Sequence, residues 1–155
     1  EILDNAIPHI GGEEQKMEVE SRKLLGDFDG TSVRYHPTRV DASCNRIPTL
    51  DGHLENVWVD TTQTGDVESL KSAMSNYPSL DLHSSPSQLI HVFEDPERPQ
   101  PRLDRNHGEG MSITVGGVQE TDDGIQFNCL AHNTLRGAAG ASVLNGELLE
   151  HQGYL

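Results

Sequence analysis

Lysine, cysteine, aromatic residues and long apolar runs are all scarce in this chain of 155 residues. The only lysines are Lys16, Lys23 and Lys71, and 11 basic residues face 25 acidic ones for a net charge of −14. A field of that sign repels phosphodiester backbones and anionic lipid, so neither nucleic acid nor a membrane surface is expected as a partner. No stretch approaches the eighteen apolar residues of a membrane span, and the N-terminus has no basic-then-apolar targeting segment. The two cysteines, Cys44 and Cys129, lie far apart and outside any C-x-x-C or zinc spacing. Two free, buried thiols are expected rather than a bridge, and no metal site. Eight scattered histidines form neither His-x-His nor H-E-x-x-H. No Walker sequence occurs and no G-x-G-x-x-G follows a strand, so these residues do not encode a nucleotide-binding domain. With 5% aromatics, the core must come mainly from Val, Ile, Leu and Ala.

What is present is acid, interspersed along the whole chain rather than gathered in a tail. Acid excess with little Lys suits a salt-rich cytoplasm, where ionic screening relieves self-repulsion and carboxylates keep the surface hydrated. A halophilic source and a cytoplasmic location are the expectations. The length fits one domain that buries roughly two-thirds of its unfolded surface.

Residues 1–10 read as an extended entry broken by Gly11-Gly12. A helix is expected over 13–25, with Glu13 and Glu14 in its first turn, Arg22 and Lys23 in its last and Gly26 as the stop. After a loop over 26–30, strands are expected over 33–35, 38–46, 55–60 and 88–93. A helix over 66–76 should start at an Asp66 cap and stop before Pro78. Residues 95–110 form a long Pro/Arg/Gly segment without periodicity, a kind of loop usually tied to function or an interface. A strand pair over 111–120 and 125–131 should turn at Asp122-Asp123-Gly124, before a closing helix over 133–150. Strands and helices mix without strict alternation. The expected fold class is α+β, with a mixed, largely antiparallel sheet and helices on one face.

The segment carrying most chemistry is Cys44-Asn45-Arg46-Ile47-Pro48-Thr49-Leu50-Asp51-Gly52-His53. Arg46 offers the bidentate grip that suits a carboxylate or phosphate, and His53 can move a proton near neutral pH. Asp51-Gly52 is a turn signal, so an extended run bearing Arg46 should end there and present His53. The plainer alternative is a surface ion pair and a His at a strand end.

Four ordered blocks then carry a resemblance that runs nearly end to end. They are Ile7-Pro8-His9-Ile10-Gly11; Glu13-Glu14-Gln15-Lys16-Met17 with Leu24-Leu25-Gly26; the stretch from Cys44 to His53; and His132-Asn133-Thr134-Leu135-Arg136-Gly137-Ala138-Ala139. Together they resemble the C-terminal half of aspartate-semialdehyde dehydrogenases, and the Arg98 to Arg105 loop is similar to that of the archaeal and fungal branch. The resemblance implies a single substrate-binding and dimerisation domain over 1–155, folded like the C-terminal domain of glyceraldehyde-3-phosphate dehydrogenases. It implies that the nucleophilic Cys and most of the NADP site lie on a dinucleotide-binding domain not included in these residues, so the chain alone should be inactive.

In that family the reaction is NADPH-dependent reductive dephosphorylation of aspartyl 4-phosphate to aspartate semialdehyde, on the way to Lys, Met and Thr. By the family pattern Arg46 would grip the substrate carboxylate, Glu13 its amino group and Lys16 the phosphate. His53 would be the acid/base, and Asn133 would lie at the nicotinamide. A homodimer or homotetramer is implied. Which of Glu13 and Glu14 faces substrate stays open, and Asn133 could equally cap the last helix. Asn45 stands where the family more often has Val. Two other readings remain: a sister acyl reductase such as a malonyl-CoA reductase, and a purely structural dimerisation module.

Overall fold

A computed structural model describes residues 2–62 and 66–155. The chain divides into two compact units, Glu1–Pro48 and Thr49–Leu155.

The first unit is built on α1 (Glu13–Leu24), with Gly12 in the left-handed region at its start. Glu13 and Glu14 sit at its positive end and Arg22 and Lys23 at its negative end, the arrangement its macrodipole favours. A short hairpin follows: β2 (Val33–Arg34) falls within the strand expected over 33–35, and it pairs with β1 (Asp27–Phe28), which lies where a loop was expected. The Asp29 carboxylate explains it, accepting from the Thr31 and Ser32 amides at 2.9 and 2.8 Å and closing the turn through a side chain. Residues 38–46 do not form the expected strand. Ladder pairing is confined to Arg46, which exchanges backbone hydrogen bonds with Ile7 at 2.9 and 3.0 Å. Within the segment a helix side chain takes the place of a strand neighbour, Cys44 N–H donating to the Glu14 carboxylate; just before it, His36 N–H donates to Arg22 O. None of the described residues through Pro48 is fully buried.

The second unit holds a four-stranded sheet in the order β3-β6-β5-β4, from β3 (His53–Asp60), β4 (Ile90–Val92), β5 (Ile113–Glu120) and β6 (Gly124–Ala131). Only β4 and β5 run parallel. The expected α+β class with a mixed, largely antiparallel sheet is the fold observed. β3 and β6 pair without interruption, from His53 opposite Ala131 to Asp60 opposite Gly124. Between β5 and β6 the register shifts past Gly116, where Gly117 takes a φ of +61° that a β-branched residue would resist. The core is small: Met111, Val115, Ile125, Leu130 and Leu144 are buried.

The helix α2 (Val67–Ser75) starts at Asp66, whose carboxylate accepts from the Glu68 and Ser69 amides. The Pro/Arg/Gly segment is not wholly irregular. It contains α3 (Pro101–Asp104), entered through a proline in its first turn, then a tight turn at His107–Gly110. The last helix begins late, as α4 (Gly140–His151). Before it, Leu135–Ala139 winds more widely, with Gly137 N–H reaching His132 O at 2.9 Å and Ala139 N–H reaching Thr134 O at 2.8 Å. These five-residue steps are a π-type turn, a form often found at functional sites.

Candidate functional site

Glu13, Lys16 and Arg46 belong to the first unit; His53 and Asn133 belong to the second.

In the first unit, Lys16 Nζ lies 3.1 Å from Glu13 Oε1, one turn along α1. Both side chains remain open to solvent, at 59% and 44% exposure, so either can turn to a ligand at little cost. Glu14 is differently engaged. Its Oε1 accepts the Cys44 amide at 3.0 Å and so ties α1 to the segment leading into Arg46. That leaves Glu13 as the open carboxylate of the pair. Arg46 is anchored by its backbone to Ile7 while its side chain is exposed, and among the described residues no carboxylate pairs with its guanidinium. A cation held at the main chain and unneutralised at its tip suits an incoming anion. Cys44 is half-buried rather than fully buried, its sulfur 3.5 Å from Met17 Sδ.

In the second unit, the Asp51-Gly52 turn delivers the chain into β3 at His53. Gly52 has a φ of +108°, a conformation L side chains avoid, and an added Cβ would meet Leu130 Cδ1 at 3.1 Å. The Cβ atoms of Pro101 and Arg105 lie 3.7 Å from that same point, so α3 backs the turn. Asn133 Oδ1 accepts the Gly52 amide at 3.0 Å. Next to it, Thr134 Oγ1 lies 3.4 Å from Asp51 Oδ1. His132 is 7% exposed, and its Nδ1 accepts the Thr134 and Leu135 amides, both at 3.3 Å. The helix-start role expected of Asn133 therefore falls to its neighbour His132. Asn133 reaches across to the turn, which brings His53 and Asn133 to one end of the β3–β6 ladder.

The loop behind the turn is held by Asp104, 1% exposed. Its carboxylate makes a two-pronged pair with Arg98, of which Arg98 Nε to Oδ2 spans 2.7 Å, and accepts the Gln100 amide at 2.6 Å. Burial by itself would raise the Asp104 pKa; the Arg98 and Gln100 hydrogen bonds outweigh it and hold the group below its ordinary value. Arg98 in turn lies over the Phe93 ring, 4.5 Å from its centre. From sequence, Asp51, Arg105, His132 and Thr134 were legible only as parts of a turn signal and of matching blocks, with no role at the site. A turn dipeptide and a helix-start tripeptide say nothing about meeting each other across eighty residues. Cys129 faces Glu55 across the β3–β6 ladder, and burial first, then that carboxylate, pushes its thiol up to about 12. Like Cys44 it is half-buried rather than fully buried as expected, and it is a protonated thiol at neutral pH.

The profile of the semialdehyde dehydrogenase dimerisation domain matches residues 1–136. The chain is 51% identical over 149 residues to the aspartate-semialdehyde dehydrogenase of Archaeoglobus fulgidus, covering 96% of this chain and 43% of that one. It is 43% identical to the Schizosaccharomyces pombe enzyme of the same name, covering 100% and 46%. The structure superposes with a TM-score of 0.89 on the aspartate-semialdehyde dehydrogenase of Candida albicans solved with NADP, at 39% identity, over 99% of this chain and 46% of that one. The chain thus spans a little under half the length of these relatives. It belongs to the semialdehyde dehydrogenase family, of which it is the dimerisation domain.

Proposed function

We propose that this chain is the substrate-binding and dimerisation half of an NADP-dependent aspartate-semialdehyde dehydrogenase. The enzyme reductively dephosphorylates aspartyl 4-phosphate to aspartate semialdehyde in the synthesis of Lys, Met and Thr. The observation that carries this reading is the built turn that presents His53 beside Asn133, in a chain that matches, over nearly all of its length, enzymes of that name from Archaeoglobus fulgidus and Schizosaccharomyces pombe. One solved relative, the aspartate semialdehyde dehydrogenase II of Vibrio cholerae, is complexed with ASA.

His53 is the acid/base: it takes the proton of the attacking thiol and handles the proton of the carbonyl-derived oxygen as the tetrahedral adduct forms and collapses. That thiol lies on a dinucleotide-binding domain outside these residues. Arg46 grips the α-carboxylate with two parallel hydrogen bonds, Glu13 the α-amino group, and Lys16 the phosphate. In a chain of net charge −14 such local cations are needed, since the long-range field repels an anionic substrate. NADPH, when bound, supplies the reducing equivalent. With its oxygen held by Gly52, Asn133 keeps its NH₂ free for one hydrogen bond to a carboxamide oxygen, so this chain's residue fits that cofactor.

The dimer would be built along β3, the edge strand of the sheet, where Leu54, Trp58 and Val59 are 38%, 66% and 42% exposed. An edge of that length and apolar content calls for a cover. The acidic, Lys-poor surface supports a salt-rich, cytoplasmic setting.

The test uses the full-length protein with two substrates. Reduction of NADP driven by aspartate semialdehyde and phosphate, with no reaction of malonyl-CoA with NADPH, is expected; the opposite pattern assigns the sister reductase. Arg46→Lys should raise KM for the semialdehyde by about tenfold or more while sparing kcat, because a point cation cannot reproduce the bidentate grip. Wild-type KM there rejects the carboxylate role. Sedimentation of the chain as a monomer at micromolar concentration would count against dimer building.

A further inference from the structure

We propose that Asn133 is a positioning residue for His53, acting through the Gly52 amide and not only through a cofactor contact. This rests on His53 being the proton-handling group.

The ladder between β3 and β6 ends at the pair His53 and Ala131. The next amide on the β3 side is that of Gly52, and a continued strand would offer it a backbone carbonyl. The chain instead turns away at His132, and Asn133 Oδ1 takes the carbonyl's place at 3.0 Å. The side chain thus extends the ladder by one bond, at the position that fixes how β3 begins. Donor and acceptor are assigned by the partner: an N–H of Gly52 can only be met by the amide oxygen, so the NH₂ of Asn133 points elsewhere.

Gly52 makes such a bond matter. Having no Cβ, it has the widest backbone freedom of any residue, and at a φ of +108° it occupies a region where little else restrains it. On one side it is bounded by Leu130, Pro101 and Arg105. On the other, the restraint is Asn133. That residue is itself fixed by its neighbours, His132 capping the wide turn through Nδ1 and Thr134 lying against Asp51. His53 follows directly and its side chain is exposed, so the backbone on either side of it sets where the imidazole lies. A displacement near 1 Å at a proton-transferring group costs on the order of 10² in rate.

The acceptor role read from this geometry and the donor role implied for the nicotinamide use opposite ends of one amide, so substitution separates them. Asn133→Asp keeps an acceptor at the same reach and removes the donor; Asn133→Ala removes both. In the full-length enzyme, Asn133→Ala should lower kcat by about 10- to 100-fold with KM for aspartate semialdehyde within about threefold of wild type. Asn133→Asp should recover kcat at least tenfold over Asn133→Ala, and its kcat–pH profile should shift to higher pH because the new carboxylate favours the imidazolium. An Asn133→Asp enzyme as slow as Asn133→Ala, or an Asn133→Ala enzyme within twofold of wild type, overturns the proposal. His53→Asn is measured in parallel. If it is slow and Asn133→Ala is not, only the positioning role falls; if it is as fast as wild type, the acid/base reading falls and takes this proposal with it. Should Asn133→Ala fold poorly, Asn133→Ser, whose hydroxyl stops short of Gly52, repeats that arm under the same criteria.

Discussion

Replacing Asp104 by Ala removes the acceptor that holds the 98–104 loop closed, and its effect can be worked from the structure. The carboxylate is fully shielded and meets Arg98 at both oxygens and the Gln100 amide at one. Removing one partner of a buried pair costs roughly 3–5 kcal/mol, mostly because the remaining charge is stranded. Arg98 keeps 25% of its side chain exposed and rests on Phe93, so water and the ring offset part of that loss. The expected cost is about 3 kcal/mol, at the lower end of that range. For a chain of this size each kcal/mol moves the midpoint by about 2–4 °C, so thermal unfolding should shift down by roughly 6–12 °C. The pH dependence adds a second check. Asp104 has a folded pKa below its ordinary 3.8, so its contribution is complete above 3.8 and fades as pH falls through the folded value. Wild type should therefore lose stability in that acid window more steeply than Asp104→Ala. A loss under about 1 kcal/mol at neutral pH, or parallel acid profiles, would refute the clamp.

Other consequences are as direct. Gly52→Ala places a Cβ against Leu130 at a φ of +108° and should cost about 2 kcal/mol in denaturant unfolding; a variant as stable as wild type removes the strained turn. Cys129, with its thiol at about 12, should resist alkylation at pH 8 in the folded chain, where only about one part in 10⁴ is thiolate, and react on unfolding. Ready labelling under native conditions contradicts that raised pKa. With a net charge of −14, the chain should unfold in low salt and regain structure in molar KCl, followed by circular dichroism. Stability indifferent to salt would remove the halophilic reading.

Legibility in the sequence followed the range of the interactions. α1, α2 and the β5–β6 hairpin were readable because their signals are local: carboxylates and cations at opposite ends, an Asp66 cap, a Gly-bearing turn between apolar runs. The segment over 38–46 misled because its composition suits a strand while ladder pairing reaches only Arg46, opposite Ile7, and the Cys44 amide goes to a side chain of α1. The strand over 33–35 was readable, but its partner β1 was not, because one Asp side chain, not an apolar alternation, closes the turn between them. At the site, Arg46 and His53 stood out by residue type, and the resemblance added Glu13, Lys16 and Asn133. The contacts that support them did not. Asn133 meets Gly52 at a separation of 81 residues, and neither local pattern encodes that pairing. Glu14 likewise read as one of two equivalent first-turn carboxylates until its bond to the Cys44 amide set it apart from Glu13.

The central claim is that His53, presented at the head of β3, moves the proton in a reaction whose bond-making sulfur lies on another domain. The measurement that meets it most directly is the kcat of His53→Asn in the full-length enzyme, with aspartate semialdehyde, phosphate and NADP. A fall of roughly 10²–10⁴ in kcat with KM little changed is expected. A kcat equal to wild type would contradict it.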